Sequence, residues 1–211
     1  MIKTDIKRLI RRQLAETTPG PSERISMPGF GDLPSLLRRI RLRRLIPAAV
    51  LVPLIDRPEG LSVLFTRRAE HLKHHPGQIS FPGGRLEIAD QGPAAAALRE
   101  SHEEIGLPVS HVEIVGYLDN YLTITGYSVT PVVGFVRPGF ELVLDTTEVA
   151  EAFEVPLDYI LDHANLVQRQ TRFMGFRVPY YEIPYRHYNI WGATAGMIVS
   201  FRSRLFDGGA T

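Results

Sequence analysis

The chain has 211 residues, 44% of them hydrophobic, and its 24 Lys and Arg against 23 Asp and Glu leave a formal charge of +1. That length and composition bury one good core with room for an appendage, and the balanced charge gives no global argument for nucleic-acid binding. The absence of cysteine excludes disulfides and thiol catalysis; with no apolar run long enough to span a bilayer and no signal-peptide core in residues 1–30, the expectation is a soluble cytoplasmic protein without stable membrane insertion.

Taken in order, Ile2, Ile6, Leu9, Ile10 and Leu14 recur at helical spacing, with Lys3, Lys7, Arg8, Arg11 and Arg12 elsewhere round the wheel, so residues 1–18 read as an amphipathic basic helix. Asp5 and Glu16 weigh against a mitochondrial presequence. A connector rich in proline and glycine follows, Pro19-Gly20-Pro21 and Pro28-Gly29-Phe30-Gly31. Then Leu36 to Arg44 packs five arginines into nine residues. Such a run suits a membrane surface, an acidic partner, a phosphorylated ligand or plain solvation.

The body of the chain is expected to start near Ile46. Ala48–Ile55 and Leu61–Thr66 read as strands joined by the turn Asp56-Arg57-Pro58-Glu59-Gly60. A long polar loop, Arg67–Gln78, leads to Phe81-Pro82-Gly83-Gly84-Arg85, and loops of that length are usually functional. Pro93 then opens a helix that Gly106 closes. On it Glu100, Glu103 and Glu104 stand at i, i+3 and i+4 and share one face. Two carboxylates about 4 Å apart repel by roughly 4 kcal/mol at an effective dielectric near 20, so the face calls for a cation. Arg99 is placed to clamp one carboxylate, and hard oxygen ligands without a Cys or His cluster favour Mg²⁺ or Mn²⁺ over zinc. The plainer reading is a solvated acidic face.

Beyond the helix, His111–Leu118 and Tyr127–Val136 alternate as strands, with Tyr121–Gly126 a turn or short strand between them. Tyr121, Tyr127 and Phe140 suit either stacking on an adenine ring or the core. Asp145–Leu157 brings a second acidic cluster, including Glu148, Glu151 and Glu154. Strands around 166–173 and 176–183, in an aromatic stretch, lead into a final helix from about 192 to 205.

Gly84, Arg99-Glu100, Glu103-Glu104 and Gly106-Leu107 together resemble the Nudix box of diphosphate hydrolases, G-x5-E-x7-R-E-U-x-E-E-x-G-U. The match departs in three places. Its interval from Gly84 to Arg99 is one residue longer, Asp90 stands where the first glutamate would fall, and Ser101 takes a hydrophobic position. Asp90 therefore reads as a loop or helix-cap residue. A narrower resemblance, to the coenzyme A pyrophosphatase signature L-L-T-x-R-[SA]-x3-R-x3-G-x3-F-P-G-G, rests on Leu64-Phe65-Thr66-Arg67-Arg68-Ala69, Lys73, Gly77 and Phe81-Pro82-Gly83-Gly84. Phe65 and Lys73 depart from it, and Lys73 keeps the charge of arginine without the bidentate fork. Trp191-Gly192-Ala193-Thr194-Ala195 also resembles the end of such chains.

The resemblance implies an α/β/α Nudix sandwich with a mixed sheet over residues 46–205, preceded by a basic helical extension (1–45) and followed by a short tail (206–211). It implies Mg²⁺ or Mn²⁺ on Glu100, Glu103 and Glu104, and catalysis by Glu103, Glu104 and a later-loop glutamate, Glu148 first and Glu151 second. Substrate binding falls to Arg67, Arg68, Lys73, Gly83 and Gly84, with Arg99 and Gly106 structural. His74 and His75 add charge, since the tandem pair points in different directions and makes a poor metal site. Coenzyme A or an acyl-CoA is the implied substrate, and a homodimer is expected by the same likeness.

Overall fold

The computed structural model of the chain describes residues 3–19, 45–72, 75–173 and 176–207. The connector beyond Pro19, the arginine run 36–44, Lys73 and His74 lie outside them.

Strand β1 (Ile46–Arg57) is the axis of the molecule. Ala48, Val52 and Leu54 enter one buried cluster while Ala49, Leu51 and Ile55 enter another, so both faces of this strand are covered, as in a sandwich of layers. It pairs antiparallel with β2 (Gly60–Arg68) and with the short β4 (Gly83–Arg85), and parallel with β7 (Tyr127–Val136). Around it an eight-stranded mixed sheet is completed by β3 (Ile79–Ser80) and β8 (Val149–Pro156) on β2, and by β5 (Val112–Tyr117) and β6 (Tyr121–Leu122) on β7. The acidic stretch 149–156, which carried no strand signal, thus pairs along β2 from Ser62 to Arg68.

Helix α2 (Pro93–Ile105) covers one face through Ala96, Ala97 and Ile105. Pro93 occupies its first turn, and Gly106 ends it in the left-handed region at φ 66°, donating its N–H to the His102 carbonyl. Ser101, polar where the box expects an apolar side chain, is buried and donates its hydroxyl to the Ala97 carbonyl at 2.6 Å. The other face is covered by α1 (Lys3–Leu14), the short α3 (Leu157–Leu161) and α4 (Ala193–Phe206). A three-stranded sheet of β9 (Val167–Phe173), β10 (Phe176–Tyr185) and β11 (Tyr188–Trp191) shares that layer. Among the described residues no helix is long and apolar enough to cross a membrane.

The basic helix α1 is docked. Ile6, Ile10 and Leu14 join the main core, and Lys7 and Arg11 pair with Asp56 and Glu113 while lying 5.3 and 5.0 Å from the centre of the Phe135 ring. The Thr17 hydroxyl accepts the Tyr117 N–H at 2.8 Å and fixes the chain leaving the helix. Its apolar stripe therefore contributes to the fold of the body: Ile10→Ala, at a fully buried position, is expected to cost about 2–4 kcal/mol. Urea denaturation of the two proteins checks this, and a midpoint unchanged by the substitution would mean the helix adds nothing to the core.

Candidate active site

The glycine corner is built by the pairing of β4 with β1, which sets Gly83 opposite Val50 and Gly84 opposite Ala49. Gly83 sits at φ +149°, and a Cβ there would strike the Ala49 carbonyl. A Cβ on Gly84 would lie 2.5 Å from the carboxylate of Glu100. Glycine is therefore required twice, once for backbone geometry and once to leave a carboxylate its space.

Beneath this corner α2 presents its acids in different ways. Glu104 is 6% exposed, and one of its oxygens accepts the Gly83 N–H at 3.1 Å. Burial, reinforced by the charges of Glu100 and Glu148, pushes its pKa up to about 8 against the opposing influence of the Gly83 N–H and Arg68. Glu100 is also raised, first by burial and further by Glu103 and Glu148, although Arg99 works the other way. Glu103 stands outward, its side chain 57% exposed and bonded to Arg99 at 3.0 Å.

Arg99 is the hub of the outer rim. Its guanidinium reaches Glu100, Glu103 and the Arg85 carbonyl, and grips Asp90 through two bonds of 3.1 and 3.0 Å. Asp90 caps no helix: Gly92 holds the N-cap position. The Asp90 carboxylate instead ties residues 86–92 to Arg99 and to the Glu87 N–H, and the Arg99 bonds hold it below the usual carboxylate range.

Glu148 comes from the segment that wraps the end of α2. Val143 and Asp145 donate their N–H groups to the carbonyls of Ile105 and Glu104, and the Thr147 hydroxyl bonds the Asp145 carboxylate at 2.6 Å to shape the turn. The Ala69 N–H then donates to the Glu148 carbonyl at 2.9 Å, just past a bulge at Arg67/Arg68 where β2 meets β8. The same bulge separates the two arginines. Arg67 is held by Glu70 and Glu151, and Glu151 is also bonded by the Tyr188 hydroxyl. Arg68 faces Glu104 electrostatically. Glu100 and Glu104 thus meet the glycine corner, Glu148 and Arg68 act on Glu104 electrostatically, and Glu103, Glu151 and Arg67 are held in ion pairs.

Among the described residues no three acidic or imidazole side chains already form a metal cage. The Glu100 carboxylate is bonded by Arg99 and that of Glu104 by the Gly83 N–H. The donor set nevertheless fits a divalent cation. Glu100, Glu104 and Glu148 act on one another electrostatically, the most buried has its ionised form strongly disfavoured, and all are hard oxygen ligands.

Of the aromatic candidates for stacking, Tyr121 is buried against Gly196 and its pKa is pushed up to about 12 by burial. Tyr127 accepts bonds from the Arg85 guanidinium, and Phe140 meets His111 edge-on at 5.4 Å. An exposed Trp191 stands beside Tyr180, at 6.3 Å between ring centres; the sequence marks it only within the Trp191–Ala195 segment and not as a stacking residue, and the alternation along β10 and β11 is the signal for that role.

Comparison with known proteins gives a match to the NUDIX domain family model over residues 45–174. Relatives include the uncharacterized Nudix hydrolase NudL of Enterobacter sp. (strain 638), 41% identical over 165 residues, covering 78% of this chain and 84% of that one. The protein of the same description from Escherichia coli (strain K12) is 40% identical over 155 residues, covering 72% and 78%. Among solved structures, a MutT/nudix family protein from Enterococcus faecalis aligns over 85% of this chain and 72% of its own at 14% identity and TM-score 0.47. A C. elegans Ap4A hydrolase binary complex aligns over 53% and 80% at 18% identity and TM-score 0.46.

Proposed function

The chain belongs to the Nudix family, and from that premise we propose that it hydrolyses the diphosphate bond of coenzyme A or an acyl-CoA, giving 3′,5′-ADP and (acyl-)4′-phosphopantetheine. Nudix hydrolases act on nucleoside diphosphate derivatives and use divalent metal ions. The observation that carries the reading here is Glu104 bonded by the Gly83 N–H and Glu100 packed against Gly84, with Glu148 and Arg68 near enough to act on Glu104 electrostatically. The coenzyme A choice is supported by the Leu64–Gly84 signature and its basic loop, since a 3′-phosphate needs cations that an uncharged metabolite would not.

Glu100, Glu104 and Glu148 would hold Mg²⁺ or Mn²⁺, with Glu103 completing the set once Arg99 releases it. When bound, such an ion neutralises charge on the diphosphate oxygens and makes water a better nucleophile. The protein's own groups do the rest. Gly83 lets the chain turn tightly against β1, and Gly84 leaves the Glu100 carboxylate its place beside the diphosphate. Arg68 adds a positive charge beside the phosphates. Glu148, or Glu103 from the outer side, orients and deprotonates the attacking water. Arg99 ties Glu100 and Glu103 to the loop that Asp90 anchors. Residues 46–205 form the hydrolase domain in this reading, and a homodimer remains part of it.

The test is a panel of coenzyme A, 3′-dephospho-coenzyme A, acyl-CoA and ADP-ribose with Mg²⁺ and with Mn²⁺, products being identified by mass. Coenzyme A should be cleaved faster than its dephospho form. Equal rates for the two, with faster cleavage of ADP-ribose, would replace the coenzyme A reading with an ADP-ribose hydrolase. No cleavage of any of them would leave a nucleotide-sensing domain.

A further inference from the structure

We infer that Trp191, Tyr180 and Glu182 form a purine-binding platform on the outer face of the β9–β11 sheet; the inference rests on the reading above that the substrate is an adenine nucleotide derivative. Glu182 is paired across the strands with Trp191, and Tyr180 stands two residues along, so the three side chains share one face. Their neighbours Tyr181, Ile183 and Ile190 point the other way into the core.

Trp191 is 45% exposed, so much of its ring stands open on that face. Its ring and that of Tyr180 meet at 73°, making an open corner. At the corner the Glu182 carboxylate accepts the Tyr180 hydroxyl at 3.0 Å and the Arg169 Nε at 3.4 Å, and it has lone pairs left for another donor. A flat π surface with a carboxylate at its edge matches a base carrying an exocyclic amino group. An alkyl or pantetheine arm would instead desolvate the carboxylate and guanidinium without replacing their hydrogen bonds.

The corner is tied to the catalytic end of the sheet. Three residues beyond Trp191, the Thr194 hydroxyl donates to the Ile79 carbonyl at 3.0 Å. Ile79 lies in β3 opposite Arg67, four residues before Gly83. The Tyr188 hydroxyl of β11 also bonds Glu151, which holds Arg67, so β11 borders the residues round the glycine corner.

Trp191 is the single tryptophan of the chain, so its fluorescence reports on the platform without any turnover. The full-length protein is titrated with 3′,5′-ADP, with its inosine analogue, which lacks the amino group, and with 4′-phosphopantetheine. Saturable quenching is expected with 3′,5′-ADP, weaker binding with the inosine analogue, and none with 4′-phosphopantetheine. Tyr180→Ala, checked for native circular dichroism, should raise the Kd for 3′,5′-ADP roughly tenfold, and Glu182→Gln should remove the preference for the amino base. Failure of 3′,5′-ADP to quench, quenching by 4′-phosphopantetheine instead, or a concentration-dependent blue shift showing that a second copy covers the face would each overturn the proposal. Cleavage of ADP-ribose in place of coenzyme A would overturn the coenzyme A reading and leave the platform standing, because both carry the same base. Coenzyme A cleavage without quenching would remove the platform alone.

Discussion

Glu104→Gln is expected to lower kcat/KM at least about a thousandfold, some 4 kcal/mol of transition-state stabilisation, while making the metal-free protein more stable. The two effects share one cause. The Glu104 carboxylate is buried, with Glu100 and Glu148 adding negative charge, and its pKa is pushed up to about 8, so in the absence of a cation the fold resists its ionisation. Glutamine keeps an oxygen for the Gly83 N–H and carries no charge. Because the folded value lies above the unfolded one of about 4.3, the folded protein binds the extra proton between them, and wild-type stability falls as pH rises through that window. Wild type and variant should unfold alike near pH 4. Their difference should then grow to a few kcal/mol by pH 8, roughly 5–10 °C in Tm. Thermal melts in chelator across this pH range check it, and a variant less stable than wild type at pH 8 would mean that the carboxylate is satisfied without a cation.

Gly84→Ala should be nearly as damaging to turnover and almost silent in stability. The added methyl would sit 2.5 Å from the Glu100 carboxylate, the end of a side chain that can swing aside. Displacing a positioned group by about an ångström costs on the order of 100-fold in rate, whereas the fold should lose less than about 1 kcal/mol. Gly83→Ala separates the two glycines. Its methyl would meet the Ala49 backbone at a positive φ, so it is expected to cost about 2 kcal/mol or more of stability. Paired urea titrations and initial rates read both variants, and equal loss of stability at both positions would contradict the distinct tasks assigned to them.

The parts of the molecule written in local signals were readable from the residues. Helix α2 announced itself by Pro93, Gly106 and the alanines between, and β1, β2 and β7 by their apolar runs. The β8 strand was hidden because Glu151 and Glu154, three apart, break its alternation, and only its place beside β2 brings Glu151 to Arg67 and Glu154 to Arg57 at the end of β1. The basic charge of α1 was plain, but Asp56 and Glu113, which receive Lys7 and Arg11, lie 49 and 102 residues away in sequence. In the site, spacing gathered the three box glutamates onto one helix. It could not tell which would be drawn aside by Arg99 and which pressed into the glycine corner. Nor could it separate Arg67 from Arg68, since the bulge that gives them different partners arises from the register of two strands far apart in sequence.

The most direct test is Mn²⁺ binding followed by electron paramagnetic resonance on the wild type and on Glu100→Gln, Glu104→Gln and Glu148→Gln. Loss of bound Mn²⁺ in the Glu104 variant and weakening in the other two, each still folded, is the result predicted. Undiminished binding in all three would contradict a cation held beneath the glycine corner.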